Sequence, residues 1–229
     1  MAKGQPKGSW RVTIPPVKGQ LIDLSQGIVD GAPTYKGLPE CSVVETHTVA
    51  KDKLNITRFT INTHGTTHLD APYHFLPGGK TVDQLDLSAC IGPTRVIDLT
   101  HKKGPGPVKV ADLEQHAGIF TPGARVLLRF DWDKHYPKEK YFTDHPYLTL
   151  DSCHWLAAHK VALLGMDSPT PNQTDWIEAH TILLQAEIVV VEALAHLDRL
   201  PTDSEFLFMG APLLLMGRDG APIRALAIV

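Results

Sequence analysis

The sequence predicts an α/β fold, a single compact domain built on a mixed sheet, and three features carry that expectation. Five short apolar runs rich in β-branched residues each end in a polar residue. Four stretches with apolar residues three or four apart lie between some of these runs. No linker-like stretch, internal repeat or low-complexity tract divides the chain after its opening segment. At 229 residues the chain can bury a sizeable core.

Residues 1–18 are rich in Lys, Gly and Pro and read as a flexible N-terminal arm, leaving 19–229 as the domain. LIDLS at 21–25 is the first strand. SVVETHTV at 42–49 and NITRFTINT at 55–63 alternate in polarity, as half-exposed antiparallel strands do. The spacing predicts a helix over Thr81–Cys90, then a strand in RVIDLT at 95–100 and a helix over Lys109–His116. RVLLRFD at 125–131, VALLGMD at 161–167 and EIVVVE at 187–192 read as strands covered on both faces. Helices are expected over Thr149–His159 and Asn172–Gln185, with Asp83, Asp112, Asp151 and Thr174 as the four capping residues. Near the C-terminus, Arg218-Asp219-Gly220 reads as a hairpin turn.

Composition narrows the function. Hydrophobic residues make up 43% and charged residues 21%, which is ordinary globular usage and excludes a disordered or fibrous chain. Lys plus Arg number 22 against 25 Asp plus Glu, a formal charge of -3, so there is no electrostatic footprint for nucleic acid or an acidic membrane surface. Cys41, Cys90 and Cys153 are widely spaced and form no CxxC, which fits reduced thiols rather than a disulfide framework. The N-terminus has no apolar signal core, and no apolar run approaches the roughly 18–20 residues that span a bilayer. A cytoplasmic protein is expected.

The most informative segment is NTHGTTHLDAPYHF at 62–75, which holds His64, His68, Asp70 and His74 within eleven residues. Imidazole and carboxylate suit zinc and other borderline divalent ions. Gly65, Thr66, Thr67 and Pro72 argue against a helix and for a turn at a strand end, which can converge His64, His68 and Asp70 on one point. A polar surface loop is the plain alternative. A second group weighs against it: His180 shares a helix face with Ile177, Thr181 and Leu184, and Glu192 ends the apolar run at 188–191. A carboxylate arriving there is costly to bury unless paired or metal-bound.

HGTTHLDAPYHF resembles the H-x-G-T-H-x-D-x-P-x-H signature of the metal-dependent cyclase-like hydrolases, a family that includes bacterial kynurenine formamidase and isatin hydrolase. LIDLSQGIVDGAPTYKGLP, GMDSPTPN, the pair His180 and Glu192 twelve residues apart, and the closing GAPLLLMGRDGAPIRALAIV extend the similarity over most of the chain. The resemblance implies a swivelling β/β/α fold and two divalent metals per chain, zinc foremost with manganese as the alternative. It implies His64, His68 and Asp70 as ligands of one metal, and Asp70, His180 and Glu192 as ligands of the other. Asp70 would bridge the two, and His74 would be the general acid/base. It also implies a small-molecule substrate and a homodimer or homotetramer. The implied activity is hydrolysis of a small carboxamide, aryl formamide or cyclic amide by a metal-activated water. The sequence departs from the signature where its glycine, two residues after the first His, is Thr66, with Gly65 one position early.

Other chemistries have less support. The serines lack a G-x-S-x-G elbow, and no P-loop or dinucleotide fingerprint occurs. A cyclase or lyase moving a proton on the same metal platform, and a non-catalytic metal-binding protein, are the alternatives. Tyr73, Phe75 and Trp176 flank site residues and are either stacking partners for an aromatic substrate or ordinary core and rim aromatics. The aromatic, charged segment 131–148 is a lid, a subunit contact or a surface excursion. His135, His145 and His196 are assigned no role.

Overall fold

The computed structural model describes residues 19–35 and 37–229. The N-terminal arm expected over 1–18 lies outside them. In chain order the strands are β1 (Leu21–Asp23), β2 (Ser42–His47), β3 (Ile56–Thr60), β4 (His68–Asp70), β5 (Ile91–Asp98), β6 (Pro107–Val108), β7 (Arg125–Arg129), β8 (Tyr147–Leu148), β9 (Leu163–Met166), β10 (Val189–Glu192), β11 (Phe206–Met209), β12 (Gly220–Pro222) and β13 (Leu226–Ile228). The α-helices are α1 (Val49–Asp52), α2 (Leu87–Cys90), α3 (Val110–Glu114), α4 (Glu139–Thr143), α5 (Leu150–Ala158) and α6 (Trp176–Gln185).

Nine strands form one mixed sheet in the order β1-β13-β11-β5-β7-β9-β10-β4-β12. Its centre, β5-β7-β9-β10, is parallel, and the flanking pairs are antiparallel. This is the mixed α/β domain that the apolar runs predicted. The central strands are covered on both faces because their alternate side chains enter two different cores. Val126, Leu128, Leu164, Met166 and Val190 pack with residues of α3, α5 and α6, whereas Leu127, Leu163, Val189 and Val191 pack in the second core.

The second core shows that the sheet curls. Leu69 and Ala221, from one end of the strand order, share it with Ile22, Phe206, Phe208 and Ala227 from the other. Chain connectivity demands this. Strands β12 and β13 lie at opposite flanks but are joined by only Ile223, Arg224 and Ala225, and a link that short spans little more than about 13 Å.

Most elements lie where the sequence placed them, with three differences. The stretch 81–90 is not one helix: a 3₁₀ turn (Val82–Gln84) ends at extended Leu85, and Asp86 caps α2 afresh by accepting from the Ser88 amide. Helix α6 begins at Trp176 rather than 172, because the Asn172 side chain accepts from the amides of Thr174 and Asp175 and forms a separate turn. The chain reverses at Met216-Gly217, where Gly217 takes φ +70°, not at 218–220. Arg218 and Asp219 instead lead into β12 against β4.

Candidate metal centre

The site is built on one face of β4 and β10. His68 and Asp70 share a face of β4, with Leu69 turned to the opposite core. Glu192 stands opposite His68 in the antiparallel register, and Val190 opposite Asp70. The Val190 face of β10 meets the core that contains α6, so Glu192 points under that helix. Helix α6 brings His180 onto the same point from its buried face of Ala179, His180, Leu183 and Leu184. Period two in the strands and period 3.6 in the helix thus assemble four ligand-type side chains that are at most 4% exposed.

Distances define two clusters that share Asp70. Asp70 Oδ1 lies 2.7 Å from His64 Nδ1 and 3.4 Å from His68 Nε2. Asp70 Oδ2 lies 3.6 Å from His180 Nε2. Glu192 also spans the clusters, with Oε2 3.3 Å from His68 Nε2 and Oε1 3.0 Å from His180 Nε2. Within each set, His64/His68/Asp70 and Asp70/His180/Glu192, the ligand atoms fall within 4.8 Å of one another. Every ligand-type residue expected from the sequence is therefore brought together.

Main-chain carbonyls orient two of the rings. Thr66 O lies 2.7 Å from His68 Nδ1, and Trp176 O, one helical turn before His180, lies 2.6 Å from its Nδ1. Each Nδ1 donates, which turns Nε2 toward the cluster. Thr66 makes its contact from the left-handed region at φ +57°, where a β-branched residue is strained. The turn is kept although its glycine is displaced. Gly65 serves packing instead, since a Cβ there would meet Ile61 Cγ1 at 2.8 Å.

Opposite charges hold the site. Burial opposes ionisation of Asp70, but His64 and His68 keep its carboxyl well below the usual range. Burial and the Asp70 charge push Glu192 up, yet its hydrogen bond to His180 and the adjacent His68 ring bring it below its ordinary value. Burial works against the charged forms of His64 and His68, and their carboxylate partners prevail, lifting them to about 9 and about 10. His68 Nε2 and Asp70 Oδ2 are nevertheless buried without a hydrogen bond. A ring nitrogen and a carboxylate oxygen that converge without a partner are what a divalent cation satisfies by replacing the proton on His68 Nε2, so the donor set fits one.

His74 stands apart from the strand-borne ligand-type residues. It follows Pro72 in a 3₁₀ turn, and its ring stacks on His64 at 3.6 Å between centroids. Burial, assisted by the neighbouring His64 and His180, lowers it to about 4, so it is neutral near pH 7. Phe75 braces the group, stacking on His180 at 4.6 Å and meeting His74 edge-on at 4.3 Å. Trp176 packs edge-on against Phe75 at 5.7 Å and remains half-exposed, and Tyr73 is exposed. His196 is exposed in a left-handed turn.

One residue at the site was not expected. Asp219 Oδ2 sits 2.5 Å from His64 Nε2 and 3.9 Å from His74 Nδ1, and it accepts from Thr63 Oγ1 at 3.0 Å. The segment that carries it is locked to β4 by the bond from the Ala71 amide to Asp219 O. Gly220 beside it is required by the His64 ring, whose Cε1 would lie 2.6 Å from a Cβ. The sequence signal was present in Asp219-Gly220, but it suited a hairpin turn equally well.

Three comparisons bear on this arrangement. Over residues 22–173 the chain matches the model of a protein family described as a putative cyclase. It is 31% identical over 210 residues to a kynurenine formamidase of Bacillus thuringiensis subsp. konkukian, covering 90% of this chain and 96% of that one. Its fold superposes on isatin hydrolase A from Ralstonia solanacearum with TM-score 0.80 and 25% identity over 92% of both chains. It also superposes on a potential metal-dependent hydrolase with cyclase activity, with TM-score 0.73 and 26% identity over 92% of this chain and 98% of the other.

Proposed function

Because this chain belongs to the putative cyclase family, we propose that it uses two divalent cations, zinc foremost, with His74 as the proton carrier. It is a hydrolase of non-peptide carbon–nitrogen bonds acting on formamide or cyclic amide substrates. His64, His68 and Asp70 would hold one cation and Asp70, His180 and Glu192 the other, with Asp70 common to both sets. The observation that carries this assignment is the convergence of the orphaned His68 Nε2 and Asp70 Oδ2 inside two ligand sets that share a carboxylate.

A cation held there polarises a carbonyl and lowers the pKa of water toward neutrality. The chain's own residues do the rest. The carbonyls of Thr66 and Trp176 hold the Nδ1 protons of His68 and His180, so both rings turn Nε2 toward the site where a cation would displace its proton. His74, neutral and edge-exposed beside His64, takes a proton from the attacking water and delivers it to the departing nitrogen. An amide nitrogen leaves only when protonated, which is why a base outside the ligand set is needed. Phe75 holds both His74 and His180 in place from one side.

His74→Ala is the test. It should retain the wild-type metal content and lose turnover of formanilide or isatin by about 10²- to 10⁴-fold, the usual contribution of a positioned acid/base. Loss of metal from this variant would make His74 a ligand and overturn its role.

The chain also works as a homodimer or homotetramer on this reading. Support comes from the separate β2–β3 hairpin, where Val44, Ile56 and Phe59 are all exposed.

A further inference from the structure

The β10–β4 ladder stops at the pair Glu192 and His68, and both chains turn away there. Ala193 takes the left-handed region at φ +55°, and its amide donates to Ser168 O at 3.0 Å instead of across the sheet. On the other strand Thr66 is left-handed at φ +57°. Continuing the register would set Ala193 opposite Thr67, and there a side chain replaces the main-chain pairing. Thr67 Oγ1 donates to Ala193 O at 2.6 Å and accepts from the Gln26 amide at 2.7 Å. Thr67 O accepts from the Ile223 amide at 3.1 Å. Thr67 is fully buried, and its hydroxyl is committed as donor and as acceptor.

One buried hydroxyl therefore ties the exit of β10 to the residue that precedes His68. The two strand ends differ in what else holds them. His68 is paired on both sides, with Glu192 on β10 and Pro222 on β12. Glu192 lies one residue past the last β10–β9 pair, Val191 with Gly165, so β4 is its one sheet partner among the described residues. Its carboxylate nevertheless reaches two rings at once, 3.3 Å from His68 Nε2 and 3.0 Å from His180 Nε2. A left-handed alanine is strained and tends to relax. The bonds at the two ends of Ala193, to Ser168 and to Thr67, oppose that relaxation directly after Glu192.

We propose that Thr67 is a positioning residue of the metal centre, its hydroxyl fixing the Glu192 carboxylate between His68 and His180. It acts through Glu192. The inference rests on the two-cation reading for what the carboxylate holds, and on the buried hydroxyl bridge for how the carboxylate is held.

Thr67→Val keeps the shape of the side chain and removes the donor. Zinc affinity is measured by stepwise chelator competition in the wild type, Thr67→Val and Thr67→Ser, with His180→Ala marking the ion assigned to His64, His68 and Asp70. Thr67→Val should weaken the ion at Asp70, His180 and Glu192 by about 10- to 100-fold, the usual cost of removing a ligand's support. Thr67→Ser should regain most of that loss. Added to His180→Ala, Thr67→Val should weaken the remaining ion far less. Wild-type affinity for both ions in Thr67→Val, or a loss that Thr67→Ser shares in full, overturns the proposal. Thr67→Cys, a weaker donor of similar bulk, replaces the valine variant if that one does not fold. The metal-free proteins give a second readout, the ring nitrogen resonances of His68 and His180, which should move in Thr67→Val and return in Thr67→Ser. Resonances that stay in place in Thr67→Val also overturn the proposal. A wild type that binds no cation but shows the expected resonance pattern would sink the two-cation reading and leave the positioning role standing.

Discussion

His64 faces a carboxylate with each of its ring nitrogens, whereas His68 and His180 each turn Nδ1 to a main-chain carbonyl. Nδ1 faces Asp70 and Nε2 faces Asp219, a carboxylate–histidine pairing of the kind that fixes a metal ligand's orientation and raises its basicity. Asp219→Asn should therefore weaken divalent-metal binding at the His64/His68/Asp70 set by about 10- to 100-fold in chelator competition, with part of that loss recovered in Asp219→Glu. Unchanged affinity in Asp219→Asn would reduce Asp219 to a role in the fold. The contrast between the residues that were legible and this one is physical. His64, His68, Asp70 and His74 lie in one short segment, so their shared chemistry is visible in one window. His180 and Glu192 announce themselves as polar groups on apolar faces. Asp219 reaches His64 only because β12 pairs with β4, a long-range contact that no local pattern records.

At the level of elements, legibility followed burial. The central strands are sandwiched between two cores, so their apolar runs are continuous and short, and they read as strands. The 81–90 stretch was misread because Asp86 restarts a helical turn in mid-segment, which apolar spacing cannot show. The β2–β3 hairpin alternates as expected, yet every residue of β3 is exposed and the hairpin joins no other strand among the described residues. Val44 and Ile56 lie on one face and Phe59 on the other. An isolated hairpin is marginal in water, and a second copy of the chain is the partner that would cover it. Wild-type protein should then sediment as a multiple of the 25.1 kDa chain, and a Val44→Glu/Phe59→Asp variant should shift toward the single-chain mass. A wild type that sediments as single chains at micromolar concentration would remove the hairpin from any interface.

Across the whole molecule, the curl of the nine-stranded sheet makes the site. It sets β4 between β10 and β12, so ligand-type residues from β4 and β10 meet Asp219 at the start of β12, while α6 closes the group from the helical layer. Among the described residues, no helix is long and apolar enough to cross a membrane. The strand order itself was not legible, because β12 and β13 are neighbours in sequence and lie at opposite flanks of the sheet. Whether the clusters sharing Asp70 are two cation sites is decided by metal content per chain, measured by plasma mass spectrometry on protein purified without a metal-affinity column. Two divalent ions are expected per wild-type chain and one in folded His180→Ala. A wild type that holds none after reconstitution, or a His180→Ala variant that still holds two, would contradict the assignment.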